Sequence, residues 1–253
     1  MLREETVFGP IHSRRLGNSL GINLLPRDGK VCNFDCIYCE CGWNKDGVGG
    51  EALPTAAQVR SALEDKLAAL LLEGTAIDSI TFSGDGEPTL NPEFPRIIDD
   101  TLFLRDAYCP GAKVSVLSNA TRVHIPEIFE ALRKVDNPIL KIDAPTDGLV
   151  AQINQPAPGY SLARVIEALE RFEGNFVLQT MFLKSKDFDS ASPEVLNGWM
   201  DIVRRLKPRQ VMVYTLDRPT PEQDLEAFSV EKMRTLVQPL IDEGFSIDIK
   251  GKE

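Results

Sequence analysis

Residues 32–39 read CNFDCIYC, so that Cys32, Cys36 and Cys39 follow a C-x3-C-x2-C spacing with Tyr38 directly before the third cysteine. Three thiolates can hold a four-iron cluster and leave its fourth iron without a protein ligand. Chemistry at a metal requires such an open position, because the substrate must reach the metal. The spacing therefore indicates a catalytic cofactor rather than a structural metal site.

A second segment, Ser83-Gly84-Asp85-Gly86-Glu87-Pro88, follows a β-rich run. Its two glycines allow bare backbone to approach a ligand closely. The cysteine motif and this glycine-rich segment, in this order, resemble the signature of the radical S-adenosylmethionine (radical SAM) superfamily. The resemblance covers the fold as well, and it implies a partial (β/α)6 barrel with a mostly parallel, curved sheet.

The resemblance also implies a cofactor arrangement. Cys32, Cys36 and Cys39 would bind three irons of a [4Fe-4S] cluster, and S-adenosylmethionine (SAM) would chelate the fourth. Backbone carbonyls of the glycine-rich segment and the Glu87 carboxylate would hold the SAM amino group. The expected function is reductive cleavage of SAM and hydrogen abstraction from an unidentified substrate, with electrons from a low-potential donor such as flavodoxin or ferredoxin. The candidate cofactor-binding residues are Tyr38, Gly84, Asp85, Gly86, Glu87, Asn119 and Asp143.

Some of these residues have a second interpretation. Asp143 follows a predicted strand, where it could face the cofactor, cap a helix or pair with Lys141. Cys41 lies close enough to reach a cluster but outside the three-cysteine pattern, and we interpret it as a free, partly buried thiol. Cys109 stands alone after a predicted helix and is interpreted as a packing residue.

Shorter N-terminal motifs suggest a branch of the superfamily. Phe8-Gly9-Pro10, Ser13-Arg14-Arg15-Leu16-Gly17 and Ser19-Leu20-Gly21-Ile22 resemble the wybutosine-synthesising tRNA enzymes and related Fe–S oxidoreductases. Those tRNA enzymes carry additional N-terminal cysteines for another cluster, and this chain lacks them. Its formal net charge of −10 also opposes a broadly basic surface for RNA. A tRNA-modifying activity therefore stands as the alternative to an unidentified substrate.

A protein of another class could also use these thiols. Cys41 can join the three motif cysteines as a fourth ligand, which would make a closed zinc site. Zinc ribbons usually use two separated cysteine pairs, and the spacing here differs. A non-catalytic zinc- or Fe–S-binding protein is the alternative from that class.

Composition indicates a globular chain with one large domain. Of the 253 residues, 43% are hydrophobic and 26% are charged, which are ordinary values for a globular domain. Four of the five cysteines lie within ten positions, as expected of metal ligands in a reducing compartment rather than of a disulfide framework. With no signal-peptide pattern and no long apolar run, we expect a cytoplasmic protein that does not enter membranes.

The hydrophobic pattern alternates between strands and helices, which predicts an α/β fold with parallel strands. The first predicted strand is Ser19–Pro26, and the first helix is Pro54–Leu72, with a capping box formed by Thr55 and Gln58. We expect residues 1–18 to lead into a barrel core over 19–217, followed by a closing helix and strand over 218–253. The other predicted strands are Ile77–Ser83, Lys113–Leu117, Ile139–Ala144, Phe176–Leu183, Gln210–Leu216 and Ser246–Lys250. The other predicted helices are Pro92–Asp106, Pro126–Val135, Ser161–Phe172, Ser192–Leu206 and Ser229–Gly244.

Overall fold

A computed structural model of the chain describes residues 3–13, 17–47 and 50–251. These residues have an α/β fold, as the sequence predicts, and they divide into two compact units. The first unit contains the described residues up to Cys32 together with Asn44–Ser118 and Ile125–Pro138. The second contains Asn33–Trp43, Asn119–His124 and the chain from Ile139 onward. The single domain with the boundaries given above stays a prediction.

The first unit is built on four strands that neighbour one another in chain order. The strands are β1 (Val7–Ser13), β2 (Gly17–Ile22), β3 (Ser79–Phe82) and β4 (Lys113–Ser118). Strand β1 is antiparallel to β2, whereas the β2–β3 and β3–β4 pairs are parallel. Its helices are α1 (Ala56–Leu72), α2 (Phe94–Tyr108) and α3 (Pro126–Lys134).

The second unit contains a parallel set of strands in the order β5-β6-β8-β10 and a short antiparallel pair, β7 and β9. The strands are β5 (Asn137–Lys141), β6 (Val177–Met181), β7 (Leu183–Lys184), β8 (Gln210–Tyr214), β9 (Glu226–Ala227) and β10 (Ile247–Lys250). The helices are α4 (Asp147–Ile153), α5 (Leu162–Glu170), α6 (Pro193–Leu206) and α7 (Val230–Asp242). None of the helices in the described ranges is both long and apolar enough to cross a membrane.

Helix α1 shows how sequence signals set an element. The predicted capping box is present, since the Gln58 N–H donates to Thr55 Oγ1 at 3.3 Å and the Thr55 N–H donates to Gln58 Oε1 at 2.8 Å. Gly74, with φ of +70°, follows the C-terminus, where a left-handed residue lets the last carbonyls find partners. The buried face of the helix consists of Ala56, Val59, Leu63, Leu67 and Leu70.

Neither β1 nor α4 was predicted, and the two-residue strand β9 was missed as well. Strand β1 contains Gly9-Pro10, and this pair interrupts the alternating pattern by which strands are recognised. Helix α4 has only seven residues, too few for a clear helical period. The prediction of the first strand as Ser19–Pro26 was wrong at its end, because β2 stops at Ile22 and the Asn23 side chain accepts from Leu25 N at 3.2 Å. In the described part of the chain, the first six predicted strands are each followed by a predicted helix, as the structure confirms.

The N-terminal residues of α1 and α6 provide a matched pair of caps for a stability test. Thr55→Ala should lower the free energy of unfolding by about 1 kcal/mol, because it removes the acceptor that satisfies the Gln58 N–H. Ser192 occupies the same position before α6 but makes no side-chain capping bond, so Ser192→Ala should cost clearly less. Urea titration of both variants measures the difference, and equal losses would contradict the capping account.

Candidate cofactor site

The glycine-rich turn lies beside the residue that directly precedes Cys32. Val31 N–H donates to the Asp85 carbonyl at 3.0 Å, and Glu87 N–H donates to the Val31 carbonyl at 3.1 Å. Val31 and Gly86 thereby form an isolated parallel bridge. We call residues 32–39 the cysteine segment. Within the first unit, the turn after β3 is therefore fixed against the start of this segment.

Both glycines of this turn are required by close contacts. A Cβ atom on Gly86 would lie 1.9 Å from the Val31 carbonyl oxygen, and the φ of +141° at Gly86 is one that other residues rarely adopt. A Cβ atom on Gly84 would lie 2.0 Å from Asn23 Oδ1. The turn thus approaches its neighbours more closely than any side chain would permit.

The two acidic residues of the turn have internal partners. Asp85 is 1% exposed, and its Oδ2 accepts from Asn23 Nδ2 at 3.1 Å and from Arg3 N at 2.7 Å. Glu87 is equally buried, and its Oε1 accepts from Ser118 Oγ at 2.8 Å and from Thr89 Oγ1 at 2.6 Å. These bonds fix the orientation of both carboxylates, as a preformed ligand site requires.

In the second unit, the last turn of α4 binds the cysteine segment through the backbone. Asp35 N–H donates to the Asn154 carbonyl at 2.9 Å, and Ile37 N–H donates to the Ile153 carbonyl at 3.0 Å. Carbonyls at a helix C-terminus have no partner within the helix, so they are available for such bonds. The backbone on either side of Cys36 is therefore held by α4.

A buried polar cluster surrounds Cys36, and we call Cys36, Tyr38, Lys141, Asp143 and Asn154 the Asp143 cluster. Asn154 Nδ2 lies 2.7 Å from Asp143 Oδ2, 2.9 Å from the Tyr38 hydroxyl and 3.3 Å from Cys36 Sγ. The Tyr38 hydroxyl also donates to Asp143 Oδ2. Two predicted cofactor residues, Tyr38 and Asp143, are thus brought together with one predicted metal ligand.

The charge of Asp143 is matched by Lys141. Lys141 Nζ lies 3.6 Å from Asp143 Oδ1 and close to the faces of the Tyr38 and Tyr214 rings, 5.3 Å and 4.9 Å from their centres. Burial lowers the pKa of Lys141, but Asp143, Tyr214 and Cys36 together outweigh burial, so the pKa of Lys141 is raised. The ion pair suggested by the sequence is therefore present. The capping alternative for Asp143 is wrong, because Thr146 caps α4.

Burial also determines the protonation of Cys36 and Tyr38. It raises the pKa of the Cys36 thiol to about 11, with nearby Lys141 acting in the opposite direction. Burial and then the charge of Asp143 raise the pKa of Tyr38 well above its ordinary value. At neutral pH both groups keep their protons, so a metal at Cys36 must displace the thiol proton.

None of the five cysteines forms a disulfide, so their sulfur atoms have the chemistry that an iron–sulfur cluster requires. Cys32, Cys39 and Cys41 are half-buried, and Cys109 is the residue that ends α2. Among residues 3–13, 17–47 and 50–251, no group of three or more His, Cys, Asp or Glu side chains is arranged to hold a metal ion. Ligation by Cys32, Cys36 and Cys39 therefore stays a prediction.

Asn119 binds the cysteine segment from another side. Its Nδ2 donates to Asn33 Oδ1 at 2.7 Å, and its Oδ1 accepts from Thr121 Oγ1 at 2.8 Å. Asn33 in turn donates to Thr121 Oγ1 at 2.6 Å. The predicted cofactor residue Asn119 thus lies next to the motif, while Arg14 and Arg15 lie outside the described residues.

Sequence reasoning missed Asn154, whose side-chain amide lies within hydrogen-bonding distance of three members of the Asp143 cluster. It is 1% exposed and ends α4, a helix that was itself missed. A buried asparagine at a helix C-terminus carries no motif, and its partners lie up to 118 positions away. Recognition of α4 was the one signal that could have drawn attention to it.

Comparison with known proteins identifies relatives along most of the chain. The GTPase Obg of Brachyspira hyodysenteriae is 30% identical over 236 residues, which are 92% of this chain but 33% of that protein. The UPF0026 protein of Helicobacter pylori strain J99 is 30% identical over 220 residues, 85% of this chain and 67% of that protein. The chain therefore spans one third of the first relative and about two thirds of the second.

Solved structures show the fold. A radical SAM methyltransferase from Sphaerobacter thermophilus aligns with a TM-score of 0.70 and 19% identity, over 92% of this chain and 65% of that one. Streptococcus suis SuiB bound to S-adenosylmethionine aligns with a TM-score of 0.59 and 15% identity, over 88% and 46%. The predicted fold class is thereby confirmed.

The family follows from a match to the chain itself. A model described as the radical SAM superfamily matches residues 28–183, more than half of the sequence. This range contains the cysteine motif, the glycine-rich turn and Asn154, the residues around which the geometry above is built. The narrower resemblance to the wybutosine branch stays a prediction. The chain belongs to the radical SAM superfamily.

Proposed function

We propose that the chain is an enzyme in which Cys32, Cys36 and Cys39 hold a [4Fe-4S] cluster that binds SAM. When bound, such a cluster supplies the electron that cleaves SAM into methionine and a 5′-deoxyadenosyl radical able to remove a hydrogen atom from a substrate. The protein contributes binding, orientation and protection from side reactions. The substrate is unidentified.

The backbone pairing of Val31 with Gly86 is the observation that carries this proposal. It joins the predicted SAM-holding turn to the residue before the first predicted ligand, Cys32. Two residues that are 55 positions apart in the sequence are thus paired. A site that used the thiols only for structure would not require this turn. A site at which a ligand contacts both the metal and the turn does require it.

The residues of the turn have different roles in this proposal. Backbone carbonyls near Gly84 and Gly86 and the Glu87 carboxylate receive the SAM amino group. Asp85 acts by position, since its carboxylate holds Asn23 and the Arg3 backbone. The three donors on Glu87 Oε1 fix that side chain before the ligand arrives, which lowers the entropic cost of binding.

The remaining cofactor residues belong to the second unit. We propose that Tyr38 contacts the adenosine part of SAM through its ring, because its hydroxyl is already committed to Asp143. Asp143 has a fully buried side chain, so it supports SAM binding by holding Tyr38 and the Met181 N–H, the latter at 2.8 Å. Asn119 contacts SAM at the end of β4, where its bonds to Asn33 and Thr121 hold it in place.

We do not propose GTPase activity for this chain, although one relative is named as a GTPase. GTP-binding P-loops use the pattern G-x-x-x-x-G-K-[ST], in which the lysine and hydroxyl contact phosphates and Mg²⁺. In this sequence Gly-Lys occurs at Gly29-Lys30 and Gly251-Lys252, and neither pair is followed by serine or threonine. The relative's name therefore gives no substrate for the residues aligned here.

A tRNA substrate is the second candidate, favoured by the N-terminal motifs around Phe8 and Ser19. The net charge of −10 opposes it, because phosphate binding draws on lysine and arginine.

We propose further that a low-potential donor such as flavodoxin or ferredoxin supplies the electron. The clustered thiols suit a reducing compartment, which supports a site of action in the cytoplasm.

Anaerobic reconstitution with iron and sulfide tests the proposal directly. The chain should bind about four irons and release 5′-deoxyadenosine from SAM in the presence of dithionite. Cys36→Ala should lose both the cluster and the cleavage, because a buried ligand is removed. Iron analysis and chromatography of the nucleoside products measure the two outcomes.

Cys41→Ala is the matched control, since it removes a nearby thiol outside the motif and should leave cleavage largely intact. Loss of cleavage in Cys41→Ala with retention in Cys36→Ala would overturn the ligand assignment. One tightly bound zinc ion and no SAM cleavage by the unaltered chain would instead support the non-catalytic alternative.

Gly86→Ala tests the link between the turn and the cysteine segment. The new Cβ would overlap the Val31 carbonyl oxygen, so the turn must move or strain, at a cost of about 1–3 kcal/mol of stability. SAM affinity, measured by equilibrium dialysis on the reconstituted protein, should fall at least tenfold. Gly111→Ala is the control, because a Cβ there meets nothing within 4 Å. Normal SAM binding by Gly86→Ala would contradict the proposed role of the turn.

Anaerobic purification at low salt tests the tRNA alternative. Phosphate contacts are strongest at low ionic strength, so an RNA-modifying enzyme should retain RNA under these conditions. We expect a chain without copurifying RNA, as judged by absorbance at 260 nm and by gel staining. Recovery of RNA that dissociates as salt is raised would instead favour a tRNA substrate.

A further inference from the structure

The side-chain amide of Asn154 lies within hydrogen-bonding distance of the predicted cluster ligand Cys36. Nδ2 is 3.3 Å from Sγ, a normal separation for a donor and a sulfur atom. Asn154 is 1% exposed, so water does not compete for this amide. Neither the cysteine motif nor the glycine-rich turn includes this residue.

The chemistry of the neighbours determines which way the amide faces. Nδ2 lies 2.7 Å from Asp143 Oδ2, and an ionised carboxylate can only accept. The nitrogen, not the oxygen, of Asn154 must therefore face Asp143. One of its two hydrogens goes to Asp143, and the other is directed towards the side where Tyr38 and Cys36 lie.

The Tyr38 hydroxyl oxygen, which is nearer than Cys36 Sγ, competes for that second hydrogen. Tyr38 gives its own proton to Asp143, and its oxygen is 2.9 Å from Nδ2. A thiolate bound to a metal carries more negative charge than a neutral hydroxyl and is the stronger acceptor of the two. Loss of the Cys36 proton on metal binding therefore strengthens the bond between Asn154 and Cys36.

Asn154 is held firmly enough to keep this geometry. Its N–H donates to the Val150 carbonyl at 2.8 Å, as the residue that ends α4. Its carbonyl accepts from Asp35 N–H at 2.9 Å, next to Cys36 in the sequence. The backbone and the side chain of one residue thus bind the same short segment.

We propose that Asn154 is a positioning residue that donates a hydrogen bond to the Cys36 sulfur and raises the reduction potential of the cluster. Reduction adds negative charge that is partly carried by the ligand sulfurs, and a donor at a sulfur stabilises the reduced form. The inference rests on the proposed function, since it requires Cys36 to be a cluster ligand.

Asn154→Leu tests this role, because leucine has a similar size and no donor. After anaerobic reconstitution, the variant should retain its iron, and its midpoint potential should shift to a more negative value in a redox titration followed by electron paramagnetic resonance. Asn91→Leu is the matched control. Asn91 is equally buried and also donates from Nδ2 to two acceptors, the Leu24 and Pro54 carbonyls, so its loss should leave the potential unchanged.

Asn154→Ser is the second variant, for use if leucine beside Asp143 prevents folding. Serine keeps a polar group in the site but is too short to reach Sγ, so the same negative shift is expected.

A wild-type potential in either folded variant would overturn the inference while leaving the proposed function intact. Loss of iron from both variants, with iron retained in Asn91→Leu, would also overturn it, since Asn154 would then act on assembly. If the unaltered chain binds no cluster, the proposed function fails and the inference fails with it.

Discussion

The pairing of Val31 with Gly86 fixes the glycine-rich turn against the residue that precedes Cys32. A hydrogen-bonded bridge of two backbone bonds tolerates no side chain at Gly86, so the turn, its glycines and the start of the motif form one rigid piece. Asp85 and Glu87 each have their own buried partners, Asn23 and Ser118 among them. A catalytic site made of loops needs such a constraint, because loops otherwise move more than a cofactor allows.

A second constraint is the buried carboxylate of Asp143. Removing an ion from water costs several kcal/mol unless it is paired and hydrogen-bonded. Lys141, Tyr38, Asn154 and the Met181 N–H meet this requirement. Because these four partners come from separate positions along the chain, satisfying one charge brings the end of β5, the end of α4 and the cysteine segment together.

The sequence predicted the parts of the structure that depend on local signals. The capping box of α1 and the alternation of strands and helices both arise from residues a few positions apart. The turn at Gly84–Glu87 was found because, together with the cysteine motif, it resembles the radical SAM signature. Strand β1 and helix α4 were missed because Gly9-Pro10 and a length of seven residues remove their periodic signals. The Asp143 cluster could not be predicted, since its members meet through contacts between distant positions that no local pattern records.

Helix α4 is shorter than any helix that is stable by itself in water. Its Thr146 cap satisfies one end, and at the other end the carbonyls of Ile153 and Asn154 are satisfied by the N–H groups of Ile37 and Asp35. The cysteine segment is therefore the C-terminal cap of the helix, and the helix is the support of the segment. Order in one requires order in the other, so any ligand that binds the cysteines also adds to the folding stability of α4.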